Sequence, residues 1–301
     1  MKTPFDVTQL HTTRLLADGA WGTELFKRGV PAGDAPERLN LIEPETVRAV
    51  ATEYLEAGAD IILTNTFGGS RFQLERHGLG NDVREINRIA AEISKAAAAA
   101  EDRAVVAGNI GPSGKMLMMG DVDRDALYDA FLEQAAALVE GGIDLLLVES
   151  MTDIEESLAG LDAARDARGS ANIPIIASMV YDPVKTGGYR TIMGNSPDEC
   201  AERAIETGAE VIGANCGTGI ENYLDLAIDL CALDVAPVWI KPNRGIPEVA
   251  NGETVYRQTA DEFAGYAKKL LEAGVTVIGG CCGTNPSFVR AMRAVVDRFN
   301  D

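Results

Sequence analysis

Eight short apolar runs, each too short for a helix and bounded by glycine or acidic residues, recur along the 301-residue chain. They are RLLAD ending at Asp18, DIILTNT at Thr66, AVVAGNI at Ile110, IDLLLVES at Ser150, IPIIASMV at Val180, EVIGANC at Cys216, PVWIKPN at Asn243 and VTVIGGCC at Cys282. Their richness in Val, Ile and Leu without polar alternation is that of parallel strands buried on both faces. Amphipathic segments with helical spacing separate most of them, at 44–57, 82–100, 124–140, 154–168, 196–207, 222–232 and 259–273. Between helix and following strand stand EAGAD at Glu56, EGGID at Glu140, ETGAE at Glu206 and EAGVT at Glu272, where glycine suits the left-handed residue that ends a helix. Eight such units without a linker rich in Pro, Gly or Ser predict a (β/α)₈ TIM barrel, one α/β domain over residues 1–301. Residues 21–41 read as loop and short helix rather than as a clean crossover.

In such a barrel the chemistry sits at the carboxyl ends of the strands. Those ends carry Asp18, Asn65-Thr66, Glu149, Asn215-Cys216, Lys241 to Asn243, and Cys281-Cys282. Cys216 ends the sixth run and the cysteine pair ends the eighth, with one strand between them, so three thiols are expected at one mouth. Adjacent cysteines rarely close a disulfide on each other, but both can reach one metal where the flanking glycines let the chain turn. Three thiolates around tetrahedral Zn²⁺ leave a fourth position for a substrate, the mark of a catalytic site. The competing reading makes these cysteines small apolar fillers, and that reading is preferred for Cys200 and Cys231 on helical segments.

Other chemistries have little material. The two histidines, His11 and His77, stand at no strand end, and neither a phosphate-binding glycine loop nor a Cys-x-x-Cys occurs. With 46 acidic against 27 basic residues the formal charge is −19, a field that repels nucleic acid and anionic membrane surfaces. No run approaches the roughly 20 apolar residues of a membrane span, and the start of the chain lacks the apolar centre of a signal peptide. A cytoplasmic location and reduced thiols are expected.

The strand-end motifs resemble those of the homocysteine S-methyltransferase family: DGAWGTEL at Asp18, TNTFGGSR at Thr64, GNIGPSG at Gly108, VES at Val148, GANCGTG at Gly213, KPNRGIP at Lys241 and GGCCGTNP at Gly279. The resemblance implies a zinc-dependent barrel that moves a methyl group onto homocysteine to make methionine. It implies that Cys216, Cys281 and Cys282 are the zinc ligands, that Glu149 is the acid that binds the homocysteine ammonium, and that Asp18, the acidic residue of the DG motif, belongs to the substrate-binding set. Backbone N–H groups around Gly19 and Ala20 are expected to receive the carboxylate, and Asn243 is expected at the open metal position before substrate arrives. Asn65 and Asn215 read as loop-orienting residues.

For the methyl donor, the wording of DGAWGT, TNTFGG and PNRGIP is nearer to betaine-type enzymes and methionine-synthase homocysteine modules than to S-methylmethionine enzymes. Trp21 stands where betaine-using relatives carry an aromatic, and Phe67 is expected to help it hold an onium cation by cation–π attraction. Animal betaine enzymes carry tyrosine where this chain has Gly68. The chain ends soon after the eighth run, which favours a small onium donor. The alternatives are a module fed by a separate corrinoid or folate methyl carrier, and an S-methylmethionine-dependent enzyme. The Met116–Met119 loop reads either as a lid on the donor or as adaptable packing.

Overall fold

A computed structural model describes residues 5–31, 33–100, 104–245, 248–250 and 253–300. The first four residues of the N-terminal segment and Ile246 and Pro247 of the KPNRGIP motif lie outside them. Eight parallel strands form one sheet: β1 Leu15–Leu16, β2 Ile61–Leu63, β3 Val105–Ile110, β4 Leu145–Met151, β5 Ile175–Met179, β6 Val211–Gly219, β7 Val238–Asn243 and β8 Val277–Ile278. Each pairs with its neighbours in sequence, β8 pairs with β1, and a bridge between Ala17 and Ile61 joins β1 to β2. The barrel is therefore closed, as the alternation of runs and amphipathic segments predicts.

The seam between β1 and β2 has little ladder of its own. Asp18 N–H donates to Ile61 C=O (3.0 Å) and Asp60 N–H to Leu16 C=O (2.7 Å). Two carboxylates complete it: Asp60 accepts the Leu16 N–H at 2.9 Å, and Asp18 accepts the Leu63 N–H at 2.7 Å. Apolar runs thus become strands because both faces are covered, and in β1 and β2 the polar ends leave the ladder early. β8 stops at Ile278, so the cysteine pair follows the strand rather than lying in it.

The helices match the amphipathic segments to within two residues, for example Pro44–Glu56, Val83–Ala98, Arg124–Glu140, Pro197–Thr207 and Ala260–Glu272. Ser196 and Thr259 lie just outside as caps, Thr259 in a reciprocal box with Glu262. The glycines of the four repeated motifs, Gly58, Gly142, Gly208 and Gly274, all have φ between 86° and 110°, where a side chain would be strained. Residues 21–41 form a helix over Trp21–Lys27, a 3₁₀ turn over Pro36–Arg38 and a short helix over Leu39–Ile42. Two features carry no signal in the sequence pattern: antiparallel ribbons follow β5 (Asp182–Pro183 with Tyr189–Arg190) and β7 (Glu248–Ala250 with Glu253–Val255).

Candidate active site

Local irregularities aim the cysteines. Beyond Cys216, which pairs with Pro242, β6 bulges and rejoins β7 only at Gly219 opposite Asn243. Cys216 itself is left-handed, with φ 61°, a conformation costing a non-glycine residue on the order of 1–3 kcal/mol. After β8 the chain is pinned to β7: Cys281 N–H donates to Pro242 C=O (2.8 Å), and Arg244 N–H donates to Cys282 C=O (2.9 Å). The Thr284 hydroxyl closes the turn by donating to Cys281 C=O at 2.7 Å. The three Sγ atoms of Cys216, Cys281 and Cys282 consequently lie within 4.8 Å of one another.

Their protons are strongly linked. Hydrogen bonds from the other two thiols draw Cys216 down, while the same bonds and mutual repulsion hold Cys281 and Cys282 up, so the trio holds one negative charge readily and resists a second. A divalent cation would relieve that resistance. Sulfurs on a tetrahedral zinc stand about 3.8 Å apart, which the cluster can meet with small side-chain adjustments. Asn243 stands beside Cys216; its amide N–H donates to Gly217 C=O at 2.8 Å, and its Oδ1 is buried without a partner. The donor set fits a thiophilic metal. Cys200 and Cys231 stand apart, and burial pushes both thiols up to about 11.

The cysteines open into a cavity of about 410 Å³ that also reaches Gly19, Trp21, Phe67, Asn109, Glu149 and Lys241. Glu149 and Ser150 occupy a bulge in β4 like that in β6, and Ser150 too is left-handed (φ 59°). Asn215 ties the two irregularities together. Its Oδ1 accepts the Ser150 N–H (2.9 Å) and the Ser178 hydroxyl (2.6 Å), and its Nδ2 donates to Ser150 Oγ (2.6 Å). Asn65 likewise fixes loops, donating to Pro36 C=O at 2.9 Å.

Burial pushes the Glu149 carboxyl up to about 7, against the opposing pull of Lys241 and a hydrogen bond from Asn109. Lys241 is equally buried; burial lowers its affinity for a proton, but Asp18 and Glu149 outweigh that and the net shift is upward. Asp18 is placed differently from the expectation. It is fully buried and does not line the cavity, because Oδ1 accepts from Lys241 Nζ at 2.6 Å while Oδ2 accepts from Trp21 Nε1 and Leu63 N–H, both at 2.7 Å. Asn243 also lies outside the cavity lining.

The sequence marks Lys241 as a strand-end residue without a specific role and marks neither Asn109 nor Glu37. A lysine inside an otherwise apolar run was a usable signal for the first. Glu37, on the 3₁₀ turn, offered none.

Trp21, Phe26 and Phe67 give the cavity aromatic walls. Phe67 is held by the turn after β3: Gly111 N–H donates to Phe67 C=O at 3.1 Å, and a β-carbon on Gly111 would lie 2.6–2.7 Å from that oxygen and the ring. Gly111→Ala should therefore displace Phe67 and lower stability by about 1–3 kcal/mol, read from denaturant unfolding. An unchanged midpoint would show that the ring moves freely.

A family model described as homocysteine S-methyltransferase matches residues 15–296. Methionine synthases of Mycobacterium leprae and Mycobacterium tuberculosis are 31% and 30% identical over 95% and 94% of the chain. The chain spans only about 24% of the length of each. Among solved structures, the homocysteine methyltransferase MmuM from Escherichia coli superposes in its oxidized form at 25% identity and TM-score 0.75, covering 93% of this chain and 95% of that one. Its metallated form gives 24% and 0.77, covering 93% and 96%. Among the described residues no helix is long and apolar enough to cross a membrane.

Proposed function

Because this chain belongs to the homocysteine S-methyltransferase family, we propose that it transfers a methyl group from a small onium donor to the thiolate of homocysteine, giving methionine, within one barrel domain spanning residues 1–301. The observation that carries this reading is the meeting of three cysteine sulfurs and a buried carboxylate in one cavity.

In this reading Cys216, Cys281 and Cys282 hold Zn²⁺, with Asn243 Oδ1 available to the metal before substrate binds. The bound ion would supply a Lewis acid that keeps the homocysteine sulfur ionised at neutral pH, where a free thiol of pKa about 8.5 is mostly protonated. Glu149 receives the substrate ammonium, and the backbone near Gly19 and Ala20 faces its carboxylate. Asp18 acts behind the wall: it neutralises Lys241 and fixes the Trp21 indole, which leaves Glu149 as the charge to be matched. Trp21 and Phe67 offer ring faces to an onium centre.

Zinc-loaded protein, homocysteine and separate onium donors (glycine betaine, S-methylmethionine, a trimethylsulfonium salt) test the reaction. Methionine should form with at least one donor, vanish on chelation and return with Zn²⁺. Turnover that survives chelation would remove the metal from the scheme. Turnover only with a methylated corrinoid or folate carrier would replace the onium donor by a carrier protein.

A further inference from the structure

We propose that Glu37 is the counter-charge of the methyl donor, which makes the aromatic side of the cavity a site for a small onium cation. This rests on the reading that an onium compound supplies the methyl group. Glu37 lines the cavity on the 3₁₀ turn Pro36–Arg38, which packs against the helix carrying Trp21, and it is only 5% exposed. Its Oε1 accepts the Gly68 N–H at 2.7 Å, which places the carboxylate beside Phe67. Among the described residues no lysine or arginine pairs with it.

The neighbouring acid differs. Asp34 also lines the cavity, but its Oδ1 accepts the Ala35 N–H (2.9 Å) and lies 3.6 Å from Arg38 Nε and 4.0 Å from His77 Nδ1. His77 is the positive-capable side chain nearest in effect to Glu37, and burial raises the Glu37 carboxyl while Gly68 and His77 oppose it. A buried carboxylate with backbone N–H donors but no cation is expensive unless a ligand supplies the charge. Aromatic faces beside it select a diffuse, weakly hydrated cation over an ammonium that needs directed hydrogen bonds.

The chemistry fixes what such a residue does. A lone pair of the homocysteine thiolate forms the new S–CH₃ bond; the C–N or C–S bond of the donor breaks, and its electron pair stays on the former onium atom. The cation leaves as a neutral amine or thioether. Glu37 therefore attracts the donor more than the nascent neutral product, and its attraction weakens as charge cancels on the way to the transition state. It is a binding and specificity residue, and such ground-state attraction lowers KM without raising kcat. Glu37→Gln should raise the donor KM about 10- to 100-fold, leave the homocysteine KM unchanged and leave kcat equal or higher.

The decisive measurement compares choline with its uncharged carbon isostere 3,3-dimethyl-1-butanol by calorimetric titration of the zinc-loaded protein. The wild type should bind choline at least about tenfold more tightly, Glu37→Asp should keep that preference, and Glu37→Gln, which retains an acceptor for Gly68, should reduce it to about twofold or less. No preference in the wild type, or the full preference in Glu37→Gln, overturns the assignment. The donor assay on the same samples separates the two levels: methionine formed from an onium donor without charge preference removes only Glu37, whereas homocysteine bound but no turnover with any onium donor removes the underlying reading.

Discussion

Cys216→Ala should retain less than about a tenth of an equivalent of zinc and lose methionine formation by on the order of a thousandfold. Cys281 and Cys282 alone give a metal two ligands and no enclosure, since the third sulfur arrives from the β6 bulge. Metal content by atomic emission and product by chromatography check both halves. Two substitutions at this position separate metal loss from misfolding. Alanine keeps the left-handed strain of φ 61°, whereas Cys216→Gly relieves it and should be about 1 kcal/mol more stable than Cys216→Ala while remaining equally inactive. Zinc retained in either variant would remove Cys216 from the ligand set.

Glu149→Gln should weaken methionine binding by about 100-fold at pH 8 and at the same time stabilise the ligand-free protein. The carboxyl is raised from 4.5 to about 7, so the folded state holds its proton more tightly than the unfolded one. Stability from this group is thus full below pH 4.5, declines as pH rises towards 7, and stays low above it; the ceiling on the loss is roughly 3 kcal/mol. Glutamine removes that loss, so the variant should exceed the wild type in unfolding free energy at pH 8 and converge with it near pH 4.5. Binding runs the opposite way. An ammonium ligand needs the ionised carboxylate, so wild-type affinity for methionine should fall towards tenfold per pH unit below about 7. Methionine has no thiol, so sulfur ionisation does not enter. Nor does the metal invert the local charge: three thiolates with Zn²⁺ carry the same formal −1 as a lone thiolate among two thiols. A flat affinity profile between pH 5 and 8 would exclude Glu149 as the ammonium partner.

Much of this site could be read from strand ends. Cys216, Cys281 and Glu149 were legible because buried parallel strands are uniformly apolar, so a thiol or carboxylate where the run stops stands out. Asp18 was legible as important but not in its role; the sequence does not show that Lys241, 223 residues away, turns back onto it. Glu37 was illegible for a related reason. It sits in a short turn with no periodicity, and only the approach of Gly68 reveals its burial. The ribbons after β5 and β7 escaped notice because two- and three-residue pairings leave no alternation to detect.

The β1–β2 seam carries a further consequence. One Asp18 oxygen accepts the Leu63 N–H across the join, and the other anchors the lysine in the cavity floor. Two jobs, one in the fold and one in the pocket, thus fall on one carboxylate. Its neutralisation would weaken the join and release the lysine's partner in a single event. The stave that closes the cask is also the one that sets its floor, so a change at this one position acts on the fold and on the pocket together.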